Sequence, residues 1–220
     1  MLEAGARDEQ AGALAPRLML PDGSVQPSLN HFPSLWRRVA FHLRLYRLHS
    51  TIGERMLLSR YWDPEHPRRV DWATGAFLVL RRSAFEQIGG FDDRQWMYAE
   101  DLDLCWRLSR AGWSTRYVPQ AIVRHELSPA AAKAFGEGEL LTERWMRATY
   151  AWMARRRGVP FTWAHAGIDL VEAMARTAAL TVASAIAGER FEERLRAARG
   201  SVRIHRHGLR SPRTLRSPRW

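Results

Sequence analysis

Residues 70–113 read VDWATGAFLVLRRSAFEQIGGFDDRQWMYAEDLDLCWRLSRAGW and carry the pattern that decides the fold. The uninterrupted apolar run AFLVL predicts a strand that is buried on both faces. The segment SAFEQI opens with the Ser-x-x-Glu spacing of a capping box, which predicts a short helix ending at Gly89-Gly90. A second helix is predicted from about Glu100 to Gly112. This alternation of strands and helices indicates an α/β domain.

Three acids stand at the start of the second predicted helix: Glu100, Asp101 and Asp103. On a helical wheel, Glu100 and Asp103 fall on a face that is expected to stay in water. Asp101 falls instead on the apolar side, between Leu104 and Leu108. An ionised carboxylate is costly to bury unless something pairs with it. Asp101 is therefore either a helix-capping residue or a residue with a chemical function, and its position alone leaves both interpretations open.

Strand signals flank this central stretch on both sides. The sequence Asp22-Gly23 predicts a turn between two short extended pieces. After the second helix, STRYVPQAIVRHE at residues 114–126 predicts a short strand pair around its proline.

The pattern becomes helical beyond Ser128-Pro129, which is a plausible helix start. One predicted helix carries ELLTERWMRATYAWMARRR and closes at Gly158, and another covers roughly residues 164–187. These segments predict a C-terminal helical appendage. Its expected packing stripe consists of Trp145, Met146, Thr149, Trp152 and Met153.

The formal net charge of +11 is concentrated in two places, residues 36–60 and 189–220. The basic tail over residues 201–220 has little apolar content and is predicted to be disordered. The segment 36–60 resembles a basic amphipathic stretch, which suits an anionic membrane surface, although a helix packed on two faces fits it about as well. One alternative function is therefore a non-catalytic basic protein that binds anionic lipid or nucleic acid. No nucleic-acid motif accompanies the arginines.

Cys105 is the single cysteine, and its place among apolar helix residues predicts a buried thiol in a reducing compartment. The N-terminus does not have the basic start and long apolar run of a signal peptide. The longest uncharged apolar run, TAALTVASAIA at residues 177–187, is too short to cross a bilayer. A cytoplasmic location is therefore predicted.

The order of motifs over residues 11–126 resembles family 2 glycosyltransferases, in particular the rhamnosyltransferase and galactofuranosyltransferase-like branch. The resemblance rests on W-x-x-G-A, R-x-x-F-x-x-x-G-G-F-D, M-Y-x-E-D-x-D-L-C and a histidine after a strand, in that order. It implies a GT-A fold and inverting transfer from a nucleotide-diphosphate sugar to a glycan or lipid-linked acceptor. It also implies cell-envelope polysaccharide synthesis at the inner face of the plasma membrane, with no nucleic-acid partner.

The resemblance also assigns roles to individual residues. Asp101, the second acid of the E-D pair, is expected to be the general base, with Glu100 beside it in the catalytic site as an acceptor or loop-ordering contact. His125 is expected to bind a divalent metal, Mg²⁺ or Mn²⁺. Asp101-x-Asp103 spells the family's D-x-D metal motif but lies inside a helix, so we reject it as the metal site. The expected acceptor-side residues are Trp72, Thr74, Gly75, Trp96 and Tyr98.

The sequence departs from the family in one respect. Relatives carry an N-terminal half with the first nucleotide-binding strands and the true D-x-D motif, and this half has no match here. The expected architecture is therefore a partial GT-A-like domain at residues 1–128, a helical appendage at 129–200 and a basic tail at 201–220. The metal is expected only if the other half is supplied. A misassigned start, a gene remnant and a separate chain remain open as explanations.

Overall fold

A computed structural model of the 220-residue chain describes residues 1–48, 63–95, 97–126 and 139–216. The chain divides into two compact units. The first comprises Met1–Phe32 and Leu43–Pro129, and the second comprises Pro33–His42 and Ala130–Trp220. The predicted first domain, residues 1–128, included Pro33–His42, which the structure assigns to the second unit.

The first unit combines a four-stranded mixed sheet, a two-stranded antiparallel sheet and helices. Its elements are α1 (Leu2–Arg7), β1 (Ala11–Met19), β2 (Leu29–Asn30), β3 (Arg68–Val70), β4 (Trp72–Ala73), β5 (Val79–Leu80), α3 (Arg82–Gln87), α4 (Glu100–Arg110) and β6 (Ser114–Arg124). The larger sheet has the strand order β3-β6-β1-β5, and the smaller one pairs β2 with β4. This α/β organisation agrees with the predicted fold class.

The centre of the larger sheet is the parallel pair of β1 and β6. The predicted strand pair over residues 114–126 is wrong, because β6 is one strand that continues through Pro119. Its register shifts where Pro16 pairs with Val118 and the next residue of β1 pairs with Ile122. The extra residues of β6, including the proline that has no N–H to donate, are accommodated in this irregularity.

The predicted strand AFLVL is shorter and less buried than expected. Only Val79–Leu80 pairs, antiparallel to β1 at the edge of the sheet, and Phe77 is 41% exposed. The short helix that follows, α3, is confirmed, but Ser83 lies inside it rather than at its N-cap. The N-cap residue is Arg81, and it makes no side-chain capping bond, so the predicted capping box is absent.

Two other predicted features of this unit are confirmed. The chain turns at Asp22-Gly23, where the Gly23 N–H donates a 3.0 Å hydrogen bond to the Leu20 carbonyl. The second predicted helix is α4, and Gly112 follows its end with a φ of 93°, a backbone conformation that favours glycine. The apolar face of α4 packs in a cluster of buried residues: Ala13, Ala84, Leu104 and Leu108.

The second unit is helical in the residues described. Its elements are α2 (Leu35–His42), α5 (Glu139–Arg156), α6 (Val159–Ala187), α7 (Glu192–His207) and α8 (Pro212–Arg216). The expected packing stripe of α5 is buried at Met146, Thr149, Trp152 and Met153. Trp145 is 43% exposed, so its predicted core position is wrong. None of the helices over the described ranges is long and apolar enough to cross a membrane.

The basic tail is helical rather than disordered as far as residue 216. Helix α7 extends to His207 and α8 follows it. Ile204 and Leu215 are 4% and 1% exposed, so two of the apolar side chains of this segment are buried, whereas Leu209 is 40% exposed. The prediction of disorder was wrong because it relied on the high average arginine content of the segment. That average does not show that single apolar side chains in each helix are buried.

The basic segment 36–60 is described only as far as residue 48. Helix α2 presents Trp36 and Val39 with 59% and 41% exposure, whereas Ala40 is buried; Leu43, which follows the helix, is 65% exposed. The remaining residues of the segment lie outside the described part of the chain.

Candidate active site

The loop that leads into α4 is held in an unusual backbone conformation. Tyr98 and Ala99 both have left-handed φ values, 59° and 61°, although neither is a glycine. Such conformations are costly for residues with a Cβ atom and persist only where the surroundings enforce them. Gln95 is 3% exposed, and its Nε2 donates a 2.5 Å hydrogen bond to the Tyr98 carbonyl. This buried amide therefore supports the strained turn that sets the direction of the first turn of α4.

Asp101 lies in that first turn and is partly buried. Its Oδ2 accepts a 2.9 Å hydrogen bond from the Gly75 N–H, and its Oδ1 accepts a 2.7 Å bond from the Leu102 N–H. Burial raises the pKa of the Asp101 carboxyl above its usual value, while these backbone N–H groups act to lower it. A carboxylate with both oxygens engaged by N–H groups has a fixed orientation.

Gly75 is exposed and stands directly against this carboxylate. A Cβ atom at position 75 would lie 3.2 Å from the Asp101 Cβ, closer than most real Cβ contacts. The glycine therefore allows the backbone to approach the acid, which gives a physical reason for the glycine in the W-x-x-G-A motif.

Glu100 is the second acid of the site and is also partly buried. Burial raises the pKa of its carboxyl, and the neighbouring Asp101 charge adds to the effect. Among the described residues, the buried Oε2 of Glu100 has no hydrogen-bond partner. The two adjacent carboxyls therefore differ, because the oxygens of Asp101 are held by backbone N–H groups and this oxygen of Glu100 is not.

Asp103 differs from the prediction that it would be solvated. It is 2% exposed, and its Oδ2 accepts a 2.7 Å hydrogen bond from the Arg107 Nε. Arg107 also donates through Nη1 to the Ile88 carbonyl at 2.8 Å, just beyond the end of α3. The wheel placed Asp103 correctly beside Arg107 but could not show that this face of α4 meets α3. Asp103 is therefore a structural acid.

Cys105 is fully buried, as predicted, and burial raises the pKa of its thiol to about 11. A thiol of this kind stays protonated at neutral pH and is not a nucleophile.

Of the predicted acceptor-side residues, Gly75 contacts Asp101 directly through its N–H, whereas the contacts described for Trp72 and Thr74 run to His31 and Ser28. Trp72 is in β4, and its Nε1 donates a 3.0 Å hydrogen bond to the His31 carbonyl. The Thr74 N–H donates to the Ser28 carbonyl at 2.8 Å. Tyr98 is partly buried in the strained turn, and Trp96 lies outside the described residues.

The sequence analysis did not predict the polar contacts that hold Asp71, the residue before β4, against the end of β2. Asp71 Oδ2 accepts from the Phe32 N–H at 2.9 Å and lies 3.1 Å from the His31 Nδ1. These contacts join the ends of the paired strands β2 and β4. Asp71 and His31 are 40 positions apart, so no local pattern could have paired them.

His125 directly follows β6, at the carboxyl edge of the parallel pair of strands. Its Nδ1 lies 2.7 Å from the Gln26 Oε1, and its backbone N–H donates to the Met19 carbonyl at 2.8 Å. Because an amide oxygen only accepts, Nδ1 is the donor, which leaves the Nε2 lone pair available to a ligand. The contacts described for His125 run to Gln26 and Met19, not to Asp101.

The described residues do not form a complete metal site. No group of three or more histidine, cysteine, aspartate or glutamate side chains among them is placed to hold an ion. The family generally uses a divalent metal, but His125 alone would supply one ligand.

Comparison with known proteins gives consistent matches. The model of glycosyl transferase family group 2 matches residues 29–187. The N-acetylglucosaminyl-diphospho-decaprenol L-rhamnosyltransferase of Mycobacterium tuberculosis is 41% identical over 139 residues, which cover 57% of this chain and 40% of that protein. The rhamnosyltransferase WbbL of Escherichia coli is 41% identical over 93 residues, covering 40% of this chain and 32% of that protein.

A shorter match is the pre-mycofactocin glycosyltransferase of Mycobacterium tuberculosis, 46% identical over 57 residues, or 26% of this chain and 12% of that protein. The chain thus spans at most 40% of the length of these relatives. Because the family model covers most of the chain, including the segment that holds Gly75, Asp101 and His125, the protein belongs to glycosyl transferase family group 2.

Proposed function

We propose that this chain supplies the general base and the acceptor side of an inverting glycosyltransferase. The reaction would move a sugar from a nucleotide-diphosphate donor to a glycan or lipid-linked acceptor in cell-envelope polysaccharide synthesis. The observation that carries the proposal is the placement of Asp101, which is partly buried at the start of α4 and is held by the N–H groups of Gly75 and Leu102.

The proposed step is a single displacement. The acceptor hydroxyl oxygen attacks the anomeric carbon and forms the new glycosidic bond, its proton moves to Asp101, and the nucleoside diphosphate leaves with the electron pair of the anomeric carbon–oxygen bond that joined it to the sugar. A sugar hydroxyl is a poor nucleophile, so an ionised carboxylate within hydrogen-bond reach lowers the barrier. A pKa raised by burial makes the Asp101 carboxylate a stronger base than that of an exposed aspartate.

The neighbouring residues have supporting roles in this proposal. Glu100, with its unpaired buried Oε2, is suited to accept a hydrogen bond from an acceptor hydroxyl or from the loop. Trp72 and Tyr98 would provide aromatic faces for a sugar ring, and Thr74 a hydroxyl. Trp96, which lies outside the described residues, stays in the proposal on the strength of the resemblance alone.

His125 is proposed to bind the divalent metal, Mg²⁺ or Mn²⁺, through Nε2 when the rest of the donor site is present. The hydrogen bond from Nδ1 to Gln26 supports this assignment, because a metal-binding histidine commonly has its other ring nitrogen oriented by an acceptor. The metal would neutralise the charge that develops on the leaving diphosphate.

The names of the relatives supply the finer proposals. Two of them are named rhamnosyltransferases, and one is named for an acceptor that carries N-acetylglucosamine on diphospho-decaprenol. An L-rhamnosyl donor and a polyprenyl-linked acceptor are therefore proposed here, at the cytoplasmic face of the plasma membrane. The exposed apolar side chains of Trp36 and Val39 in α2, and of Leu43 just after it, support the expected membrane contact of segment 36–60.

A transfer assay tests the proposed function. The longest in-frame chain that ends in these 220 residues is incubated with nucleotide-diphospho-L-rhamnose, divalent metal and a polyprenyl-diphospho-N-acetylglucosamine acceptor. Formation of the rhamnosylated lipid, with inverted anomeric configuration, is expected. Donor hydrolysis without transfer, or a retained configuration, would contradict the proposal.

A second candidate function is a non-catalytic protein that binds anionic lipid or nucleic acid. It is supported by exposed arginines that recur along α7: Arg196, Arg199, Arg203 and Arg206. Binding of duplex DNA or RNA that weakens steeply with salt, and that survives Asp101→Asn, would favour this candidate.

A further inference from the structure

Helix α6 carries a long uncharged face that is exposed to solvent. Val171, Met174, Val182 and Ile186 are 70%, 52%, 60% and 82% exposed, although each has an apolar side chain. Trp163, near the start of the helix, is 41% exposed. At about 100° per residue these positions fall within one arc of about 140°, so they form a single stripe.

The charged residues of α6 lie on the other side of the helix. Within Val159–Ala187 the ionised side chains are Asp169, Glu172 and Arg176. Helix α7 packs on that side, because the Arg176 Nη2 donates a 3.0 Å hydrogen bond to the Ser201 Oγ, and Asp169 is fully buried. The stripe from Trp163 to Ile186 therefore points away from α7 and is about 35 Å long at 1.5 Å per residue.

Charged side chains stand at both ends of this stripe. Near its first residues, the Arg157 guanidinium lies 4.1 Å from the centroid of the Phe161 ring, and the Trp163 Nε1 donates to the Arg210 carbonyl at 3.1 Å. Beyond its last residues, Arg190 and Arg194 are exposed, and so are Glu192 and Glu193. An apolar surface bounded by charged side chains complements the boundary between the acyl chains and the polar headgroups of a lipid leaflet.

The shape of the surface favours lipid over a second protein chain. One helix face of this length and about 10 Å in width offers a footprint of roughly 350 Å², whereas a stable protein interface needs about 800 Å² per partner. A lipid surface can deform around a single convex ridge, and an indole at the end of the ridge suits the headgroup level.

We propose that α6 is a lipid-docking helix that lies in the plane of a membrane, with the stripe Trp163, Val171, Met174, Val182 and Ile186 at the headgroup–acyl boundary. This stripe shares no residue with segment 36–60. The inference does not rest on the transfer reaction, because membrane binding can be measured without donor or acceptor.

Vesicle co-sedimentation of the 220-residue chain tests the proposal. The probes are vesicles of phosphatidylglycerol and phosphatidylcholine, and vesicles of phosphatidylcholine alone. The wild-type chain is expected to bind the anionic vesicles. The double variant Val171→Glu/Val182→Glu is expected to lose roughly tenfold or more of this partitioning, because two carboxylates would enter the acyl boundary.

Ala197→Glu is the matched control, since Ala197 is an exposed alanine of α7 outside the stripe, and it is expected to bind like the wild type. Unchanged melting temperatures check that the variants fold. Equal vesicle binding by the double variant and the control, or no vesicle binding by the wild type, would overturn the proposal. Concentration-dependent dimerisation that the double variant abolishes, without vesicle binding, would identify a second copy as the occupant and also overturn it.

Discussion

The backbone N–H of Gly75 donates a 2.9 Å hydrogen bond to the Oδ2 of Asp101, across 26 positions of sequence. This bond joins two motifs that the sequence shows separately, the glycine after β4 and the acid pair that opens α4. Together with the Leu102 N–H, this backbone N–H orients the proposed base.

Gly75→Ala tests this relationship. The added Cβ would stand 3.2 Å from the Asp101 Cβ, so the carboxylate or the loop must shift by a few tenths of an ångström. The transfer rate of the complete enzyme is expected to fall by about tenfold or more, because misplacing a catalytic group is costly. The melting temperature should change little, since Gly75 is exposed. Ala76→Ser, at the next exposed position, is the control, and an equal rate loss there would contradict the specific role of Gly75.

Glu100→Gln tests how much the buried carboxyl of Glu100 lowers the free energy of unfolding at neutral pH. Its folded pKa is raised above the ordinary value of 4.5 by burial, so the folded state binds the proton more tightly than the unfolded state. Wild-type stability should therefore fall as pH rises from 4.5 through the folded pKa, and the penalty is complete above it. The variant should be more stable than wild type near pH 7, by on the order of 1 kcal/mol, and about equal near pH 4. Urea unfolding at the two pH values measures this, and a pH-independent difference would contradict it.

Arg107→Met tests the structural assignment of Asp103. The substitution removes the cation that lies 2.7 Å from a carboxylate that is 2% exposed. Leaving this charge buried without its cation should lower the free energy of unfolding by about 3 kcal/mol. Arg110→Met, on an exposed position of the same helix, should cost less than about 0.5 kcal/mol. Equal losses in chemical denaturation would show that the Asp103–Arg107 pair is not a structural element.

Asp169→Asn tests the ion-pair network inside the helical unit. Burial opposes ionisation of Asp169, but the His42 hydrogen bond, the His165 Nδ1 that lies 3.3 Å from Asp169 Oδ2, and the charge of Arg38 hold the pKa of Asp169 well below the usual range. Its stabilising contribution is therefore complete above pH 3.8 and is lost as pH falls further. The variant should lose about 3 kcal/mol at pH 7, because Arg38 and His42 lose their partner.

Glu172→Gln is the control for the network, because Glu172 lies on the same helix and pairs with Arg176 only at 3.9 Å. Its effect on the free energy of unfolding should stay below about 1 kcal/mol. A loss from Asp169→Asn no larger than that of the control would contradict a stabilising role of the network.

The turns and helices that depend on neighbouring residues in the sequence could be predicted from it. The turn at Asp22-Gly23, the helix that ends before Gly112 and the two long helices of the second unit follow from turn residues and periodicity. The inward-facing position of Asp101 was also visible on a helical wheel.

Contacts between distant segments could not be predicted in this way. The burial of Asp103 depends on where α3 ends, the continuity of β6 depends on an irregularity against β1, and the pairing of Asp71 with His31 spans 40 positions. The helical tail was missed because two buried residues, Ile204 and Leu215, outweigh a composition dominated by arginine.

The central claim is that the Asp101 carboxylate takes the proton of the acceptor hydroxyl. The direct measurement compares the rhamnosyl transfer rate of the complete enzyme with that of Asp101→Asn, using the exposed acid Asp93 as the control variant Asp93→Asn. Loss of a positioned general base should lower the rate of Asp101→Asn by roughly a hundredfold to ten-thousandfold, with Asp93→Asn unchanged. Equal rates for the wild type and Asp101→Asn would contradict the assignment of Asp101 as the base.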